Sequence, residues 1–230
     1  MGRHYDLARG DAPVRVMVMG QEYGRDVQHV SLSTRHAMIA EESGRARRFQ
    51  REGSHPARNP HMRGTTTILR AVLGAGPGAD YDGEFLQVED QAVHLFEAFA
   101  LVNVLLCSAI VTDDGAKRGY RAAGRSTSVI QQNCRPHLRS ALDILEPTII
   151  AVQGGMVRRN LERAVDGVEP LHATLPLARV WWGSQSALAL FLSHPAAHGA
   201  ANWGMNAQQA YVTATILPMV QAARQQLGIG

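Results

Sequence analysis

Three apolar runs in this chain each end in a polar turn that carries a chemically capable group, and a fourth carries one within it. Val14–Met19 runs into Gly20-Gln21-Glu22-Tyr23-Gly24, and the run from Leu101 to Cys107 carries Asn103 inside it. Thr148–Val152 runs into Gln153-Gly154-Gly155, and Ala187–Leu192 runs into Ser193-His194-Pro195. A carboxylate, an amide with a donor and an acceptor side, a Gly-Gly turn and a histidine thus occupy equivalent places along the chain. Taken singly, each has an ordinary structural reading. Glu22 suits a solvated turn, Asn103 can satisfy backbone groups in a core, and His194 can be a structural histidine before a turn. Their shared position is the stronger signal, because ligands of parallel sheets bind at the carboxyl ends of the strands.

The elements between these runs must then build such a sheet. Strands are expected at Val14–Met19, Ala98–Leu105, Thr148–Val152 and Ala187–Leu192. Helices are expected around Ser31–Glu42, at Thr65–Leu73, briefly at Val88–Phe96, and at Ser126–Leu145, Met156–Val165 and Gln208–Leu227, with Pro218 marking a kink or a break. The alternation predicts an α/β fold, a three-layer α/β/α sandwich around a central four-stranded, mostly parallel sheet. Residues 1–12 are expected to be loose, and residues 13–230 to form a single domain.

Composition narrows the classes. The chain has 230 residues, 45% of them hydrophobic, which suits one compact domain with its own core. A disordered tail, a collagen-like chain and a small stapled scaffold are excluded. The longest apolar run, Phe96–Val111, is interrupted by Glu97, Asn103 and Ser108. A bilayer span needs roughly 20 apolar residues, so this run is read as a buried strand region and no membrane association is expected. The first residues lack the apolar core of a secretory signal, and Cys107 and Cys134 form no disulfide framework. A cytoplasmic chain with reduced thiols is the expectation.

The net charge is +3, and Lys117 is the only lysine. Arginine's planar fork suits phosphate, and mild basicity permits nucleic-acid binding without requiring it. Arg45, Arg47, Arg48, Arg51 and Arg58 cluster between residues 44 and 64. They read either as a clamp on a DNA backbone or as a solvated face partly neutralised by Glu41, Glu42 and Glu52. His55, His61, His194 and His198 lack the spacing of zinc ligands, so no metal is expected. Trp181, Trp182 and Trp203 read as packing residues of the core or the rim.

In order and spacing, these motifs resemble the uracil-DNA glycosylase superfamily. Gly20-Gln21-Glu22-Tyr23-Gly24 is similar to that family's turn after its first strand, Leu101-Val102-Asn103 to its strand-borne Asn, and His194-Pro195 to its final His-Pro turn. Asn133-Cys134-Arg135-Pro136-His137-Leu138, then Ile144-Leu145-Glu146-Pro147-Thr148-Ile149-Ile150, then Gly154, follow the bacterial iron–sulfur branch in order. Pro60-His61-Met62 stands where that branch has a Pro-Phe turn entering a helix. The resemblance covers the chain from about Val14 to the final helix.

The resemblance implies a monofunctional glycosylase that flips a uracil-like or modified pyrimidine from single- or double-stranded DNA and leaves an abasic site. His194 would donate to the pyrimidine O2, stabilising the departing anion. Asn103 would read the Watson–Crick edge, and Glu22 would orient water or balance the sugar cation. Gln21, Tyr23 and His61 would line the base pocket. Arg45, Arg47, Arg48, Gly154, Gly155 and His198 would approach DNA. No lysine holds a motif position, so no Schiff-base lyase step is implied. No early Cys-x-x-Cys exists, so neither a cluster nor any other cofactor is expected, and the chain is expected to act as a monomer.

Three departures fall on the pocket wall and the intercalating loop. The stacking Phe is replaced by His61 or shifted to Met62, His198 stands at the wedge position where Leu is usual, and the first turn lacks proline. They leave two alternatives open. One is a glycosylase for a bulky hypermodified cytosine of phage DNA, acting in defence. The other is a non-catalytic member that binds DNA or nucleotides.

Overall fold

The computed structural model describes residues 1–9, 12–21, 37, 41, 58, 60–74, 76–78, 82–106, 110–112, 120–122, 127–203 and 209–229. In chain order, short strands β1 (Ala8–Arg9) and β2 (Ala12–Pro13) precede β3 (Val16–Gly20) and helix α1 (Pro60–Leu73). The hairpin β4 (Phe85–Val88) and β5 (Gln91–His94) leads into β6 (Phe99–Asn103). A small hairpin, β7 (Ile110–Thr112) and β8 (Tyr120–Ala122), precedes α2 (Ser128–Leu145), β9 (Ile149–Gln153) and α3 (Gly155–Ala164). Three further strands, β10 (Gly167–Pro170), β11 (Leu177–Trp182) and β12 (Gln185–Leu192), lead to the closing helix α4 (Leu217–Gln226).

The main sheet has six strands in the order β10-β11-β12-β9-β3-β6, so the expected four-stranded sheet is corrected. The four expected strands are its parallel part, with β12, β9, β3 and β6 running the same way. Two antiparallel strands extend the edge beyond β12. They escaped the sequence reading because β10 is short and β11 alternates buried and exposed residues, the pattern of a strand with one wet face.

Alternation along each strand sorts the core into two apolar clusters, one per sheet face. Val16, Val18, Ile149, Ala151, Leu188 and Leu190 pack with Ile68 and Leu69 of α1 and Met219 and Val220 of α4. Met17, Met19, Ile150, Val152 and Ala189 pack with Leu138 and Leu142 of α2 and Val157 and Leu161 of α3. Helices therefore flank a mixed, mostly parallel sheet on both faces. Among the described residues, no helix is long and apolar enough to cross a membrane.

Two further expectations change, and the interruption expected at Pro218 is present. The short helix expected at Val88–Phe96 is instead hairpin β4–β5 with a 3-10 turn at Leu95–Glu97. Glu89, at φ 52°, and Asp90 reverse the chain between paired Val88 and Gln91. Helix α1 starts at Pro60 rather than Thr65, since proline's fixed φ suits the first helical turn. The last helix is divided: Val212–Ile216 is a π-helical turn, and α4 begins beside Pro218, which has no N–H to continue the ladder.

The start of the chain, expected to be loose, is tied down where it is described. Gly2 and His4 donate backbone N–H bonds to Phe99 and Glu97, and Tyr5 and Leu7 are buried. The expected helix at Ser31–Glu42 lies outside the described residues except for helical Ala37 and Glu41.

Candidate functional site

The C-terminal ends of the parallel strands bring polar groups to one level of one face. Gly20 pairs with Asn103 across β3 and β6, and Gln153 pairs with Leu192 across β9 and β12. One step before Gly20, Met19 is level with Val152, so Gln153 is level with Gly20. Two carboxamide residues therefore bracket a glycine in one cross-strand row. By alternation they share the face that packs against α1.

Gly20 allows a close approach. A Cβ there would lie 3.0 Å from Asn103 Oδ1 and 3.2 Å from His61 Cε1. The amide of Asn103 and the ring of His61 therefore close over the bare backbone of β3. His61 lies in the first turn of α1. One turn on, Thr65 accepts a long hydrogen bond (3.4 Å) from Gln153 Nε2. Gln153 is fully buried, and its Oε1 has no partner among the described residues.

His194 completes the group. Its ring lies 6.4 Å from that of His61, centroid to centroid, with the planes inclined by 23°. Its Cβ and Cδ2 lie against Gly154, whose φ of +111° is a conformation that favours glycine. The Ala196 N–H donates to His194 Nδ1 at 3.1 Å, which places the proton of the neutral ring on Nε2. Partial burial holds the pKa of His194 below its ordinary value. Burial, aided by the neighbouring His194, lowers that of His61 to about 4. Both rings are neutral near pH 7.

The loop carrying His194 is held from several sides. The Ser193 N–H donates to Tyr211 Oη at 3.0 Å. The Ser193 hydroxyl donates to the Ala201 carbonyl at 2.6 Å, and Trp203 Nε1–H donates to the Ser193 carbonyl at 3.0 Å. Gly64 of α1 packs against Pro195 and Trp203, which fixes the helix bearing His61 against the loop bearing His194.

The sequence-derived residues divide accordingly. His61, Asn103, His194 and Gly154 are brought together. Gln21, half-buried, contributes backbone: its carbonyl accepts the Leu105 N–H at 3.0 Å. Gly155 is the exposed first residue of α3, and His198 is exposed ahead of a short turn at Gly199–Ala201. Glu22, Tyr23, Arg45, Arg47 and Arg48 lie outside the described residues. Arg58 belongs neither to a solvated face nor to a DNA clamp, because it is buried and paired with Glu84. Trp182 and Trp203 are buried, whereas Trp181 is 38% exposed.

The sequence reading left Gln153 and Thr65 out of the site. The signal for Gln153 was a polar residue ending a wholly apolar strand, level with Gly20. Among the described residues, no group of three or more His, Cys, Asp or Glu side chains is placed to hold a metal ion. Chemically, the rim offers a neutral N–H donor at His194 Nε2 and an amide edge at Asn103, with a flat ring beside them. No family model matches the chain, and no curated protein matches it.

Proposed function

We propose that this protein is a monofunctional DNA glycosylase of the uracil-DNA glycosylase type, acting as a monomer on a pyrimidine flipped out of DNA. The observation that carries the reading is the meeting of Asn103 and His61 over Gly20, with the His194 ring 6.4 Å from that of His61. His194 Nδ1 is taken by the Ala196 N–H, which leaves its Nε2–H to point away from that turn. Such a rim suits a planar heterocycle with a keto–amide edge. When the bond from the sugar C1′ to the base nitrogen breaks, its electron pair leaves with the base. The resulting negative charge on the pyrimidine O2 is stabilised by His194 Nε2–H. A neutral donor preorganised towards developing charge lowers such a barrier. Water adds its oxygen to C1′, and its proton is released to the site or to solvent. The order of motifs around Glu22, Asn103 and His194 assigns Glu22 the role of orienting that water.

The test is base release. The purified protein is incubated with uracil-containing DNA and with DNA bearing glucosylated hydroxymethylcytosine, and the freed base is identified by mass spectrometry. Free uracil supports the reading. Release of only the bulky base assigns the altered wall at His61 to specificity for modified cytosine. DNA binding without release from either substrate overturns the enzymatic reading in favour of a binding module.

A further inference from the structure

Beneath the first turns of α1 lies a charged network that the proposed chemistry does not use. Arg58, Glu84 and His94 are 8%, 4% and 0% exposed. Arg58 donates from Nη1 to Glu84 Oε1 at 2.6 Å and from Nη2 to Oε2 at 2.9 Å. His94 accepts the Phe96 N–H at Nδ1 (3.2 Å), so the proton of its neutral ring is on Nε2, which donates to Glu84 Oε2 at 3.0 Å. Burial pushes the Glu84 carboxyl up, but the hydrogen bonds from His94 and Arg58 outweigh it and keep the group ionised. Burial keeps His94 neutral.

The network joins the two elements that carry the rim. On one side, Arg58 Nη1 also donates to Thr66 Oγ1 at 3.2 Å, and Arg63 Nε donates to the Arg58 carbonyl at 2.7 Å. Side chain and backbone of Arg58 are thus both tied to the first two turns of α1, three residues ahead of His61. On the other side, His94 ends β5, and the Arg58 guanidinium lies 4.9 Å over the Phe96 ring. From Phe96 the chain passes directly into β6, which ends at Asn103. A buried ion pair is a weak source of net stability, since apolar side chains of similar shape often replace it without loss. Its rigid two-pronged geometry is what apolar packing does not reproduce.

We propose that Arg58, Glu84 and His94 are positioning residues that set the start of α1 against β6, and so hold the His61 ring over Gly20 beside Asn103. Their link to turnover rests on the glycosylase reading, whereas their hold on His61 does not. The experiment therefore reads His61 directly. Ring resonances of His61 are followed by NMR through a pH titration in the wild type, in the apolar triple variant Arg58→Met/Glu84→Leu/His94→Phe, and in Arg58→Lys. Lysine keeps the charge and removes the fork. Thermal melting is recorded for each protein.

The expected result is a folded triple variant whose His61 midpoint moves at least one pH unit up from about 4, towards ordinary histidine. Arg58→Lys shows a smaller shift in the same direction. On a substrate that the wild type cleaves, both variants lose about tenfold or more in kcat, as misplacement of a site group by a fraction of a side chain predicts. A folded triple variant with unchanged His61 titration overturns the proposal. If the triple variant does not fold, an unchanged His61 in Arg58→Lys overturns it. If the wild type releases no base, the glycosylase reading fails while the His61 resonances still decide the positioning role.

Discussion

His194 at the rim and His94 in the buried network begin from the same local device. Each ring accepts, at Nδ1, the backbone N–H two residues further on, from Ala196 at 3.1 Å and from Phe96 at 3.2 Å. Each therefore carries its proton on Nε2. His94 passes that proton's hydrogen bond to buried Glu84, which also accepts from Arg58. His194 presents it at the open ends of the parallel strands, next to His61. Exposed His172 adds a third case, accepting N–H groups from Thr174 and Leu175 at 3.1 Å. The comparison teaches that a short turn selects the tautomer, while the surroundings decide whether the donor builds structure, faces a ligand or meets water.

The buried side of the comparison breaks most easily. Glu84→Ala leaves Arg58 charged and without its carboxylate in the interior, and is expected to cost about 3–5 kcal/mol. Urea unfolding reads this as a lowered midpoint at constant slope, and a loss below about 1 kcal/mol would show that the pair is not buried as described.

The rim responds in rate instead. His194→Ala is expected to lower single-turnover base release by about 10²–10³-fold, the effect of removing one preorganised donor. Its unfolding free energy should stay within about 1 kcal/mol of the wild type, because the ring is exposed on one side. Undiminished release would remove His194 from the chemistry.

Both regions share an acid response of the same sign. His61, His94 and His194 are all held below the ordinary histidine value of 6.5. The unfolded chain takes up protons below that value when the folded chain does not, so stability falls as pH falls. For His61 the loss runs from about pH 6.5 to about pH 4, where the folded ring also protonates. At about 1.4 kcal/mol per unit, that ring accounts for up to about 3 kcal/mol. Glu84, whose pKa is lowered, adds a loss of the same sign at still lower pH. Unfolding measured at pH 7.5, 5.5 and 4.5 should show the decline, and His61→Phe should flatten it.

Gly20→Ala tests the junction between helix and strand. Its methyl group would sit 3.0 Å from Asn103 Oδ1 and 3.2 Å from His61 Cε1, so both must give way. Overpacking of this kind is expected to cost about 1–3 kcal/mol. Crystallography or NMR of the variant should find the His61 ring displaced. The smallest effect belongs to His172→Ala, expected to change stability by no more than about 0.5 kcal/mol and base release not at all.

Much of the architecture was legible along the chain. The apolar runs ending at Gly20, Asn103, Gln153 and Leu192 are the four parallel strands, because strands buried on both faces must be continuously apolar. The antiparallel edge was less legible: β11 reads as an ordinary half-polar segment until β12 lies beside it. Hairpin β4–β5 was read as a helix, since a short mixed run fits either period and only its partner strand decides. The rim was legible through residue types at strand ends, whereas Gln153, Thr65 and the network around Glu84 were not.

By itself, then, the sequence determined the parallel core, the glycine at the end of β3 and the polar residues at its strand ends. These follow from local hydrophobicity and from which residues a turn tolerates. Only the tertiary structure decided that His61 closes over Gly20, that Arg58 turns inward to Glu84, and that His94 Nε2 meets Glu84 while His194 lies exposed beside His61. Hydrogen-bond satisfaction and desolvation depend on groups brought together from distant parts of the chain, and no local pattern of residues encodes them.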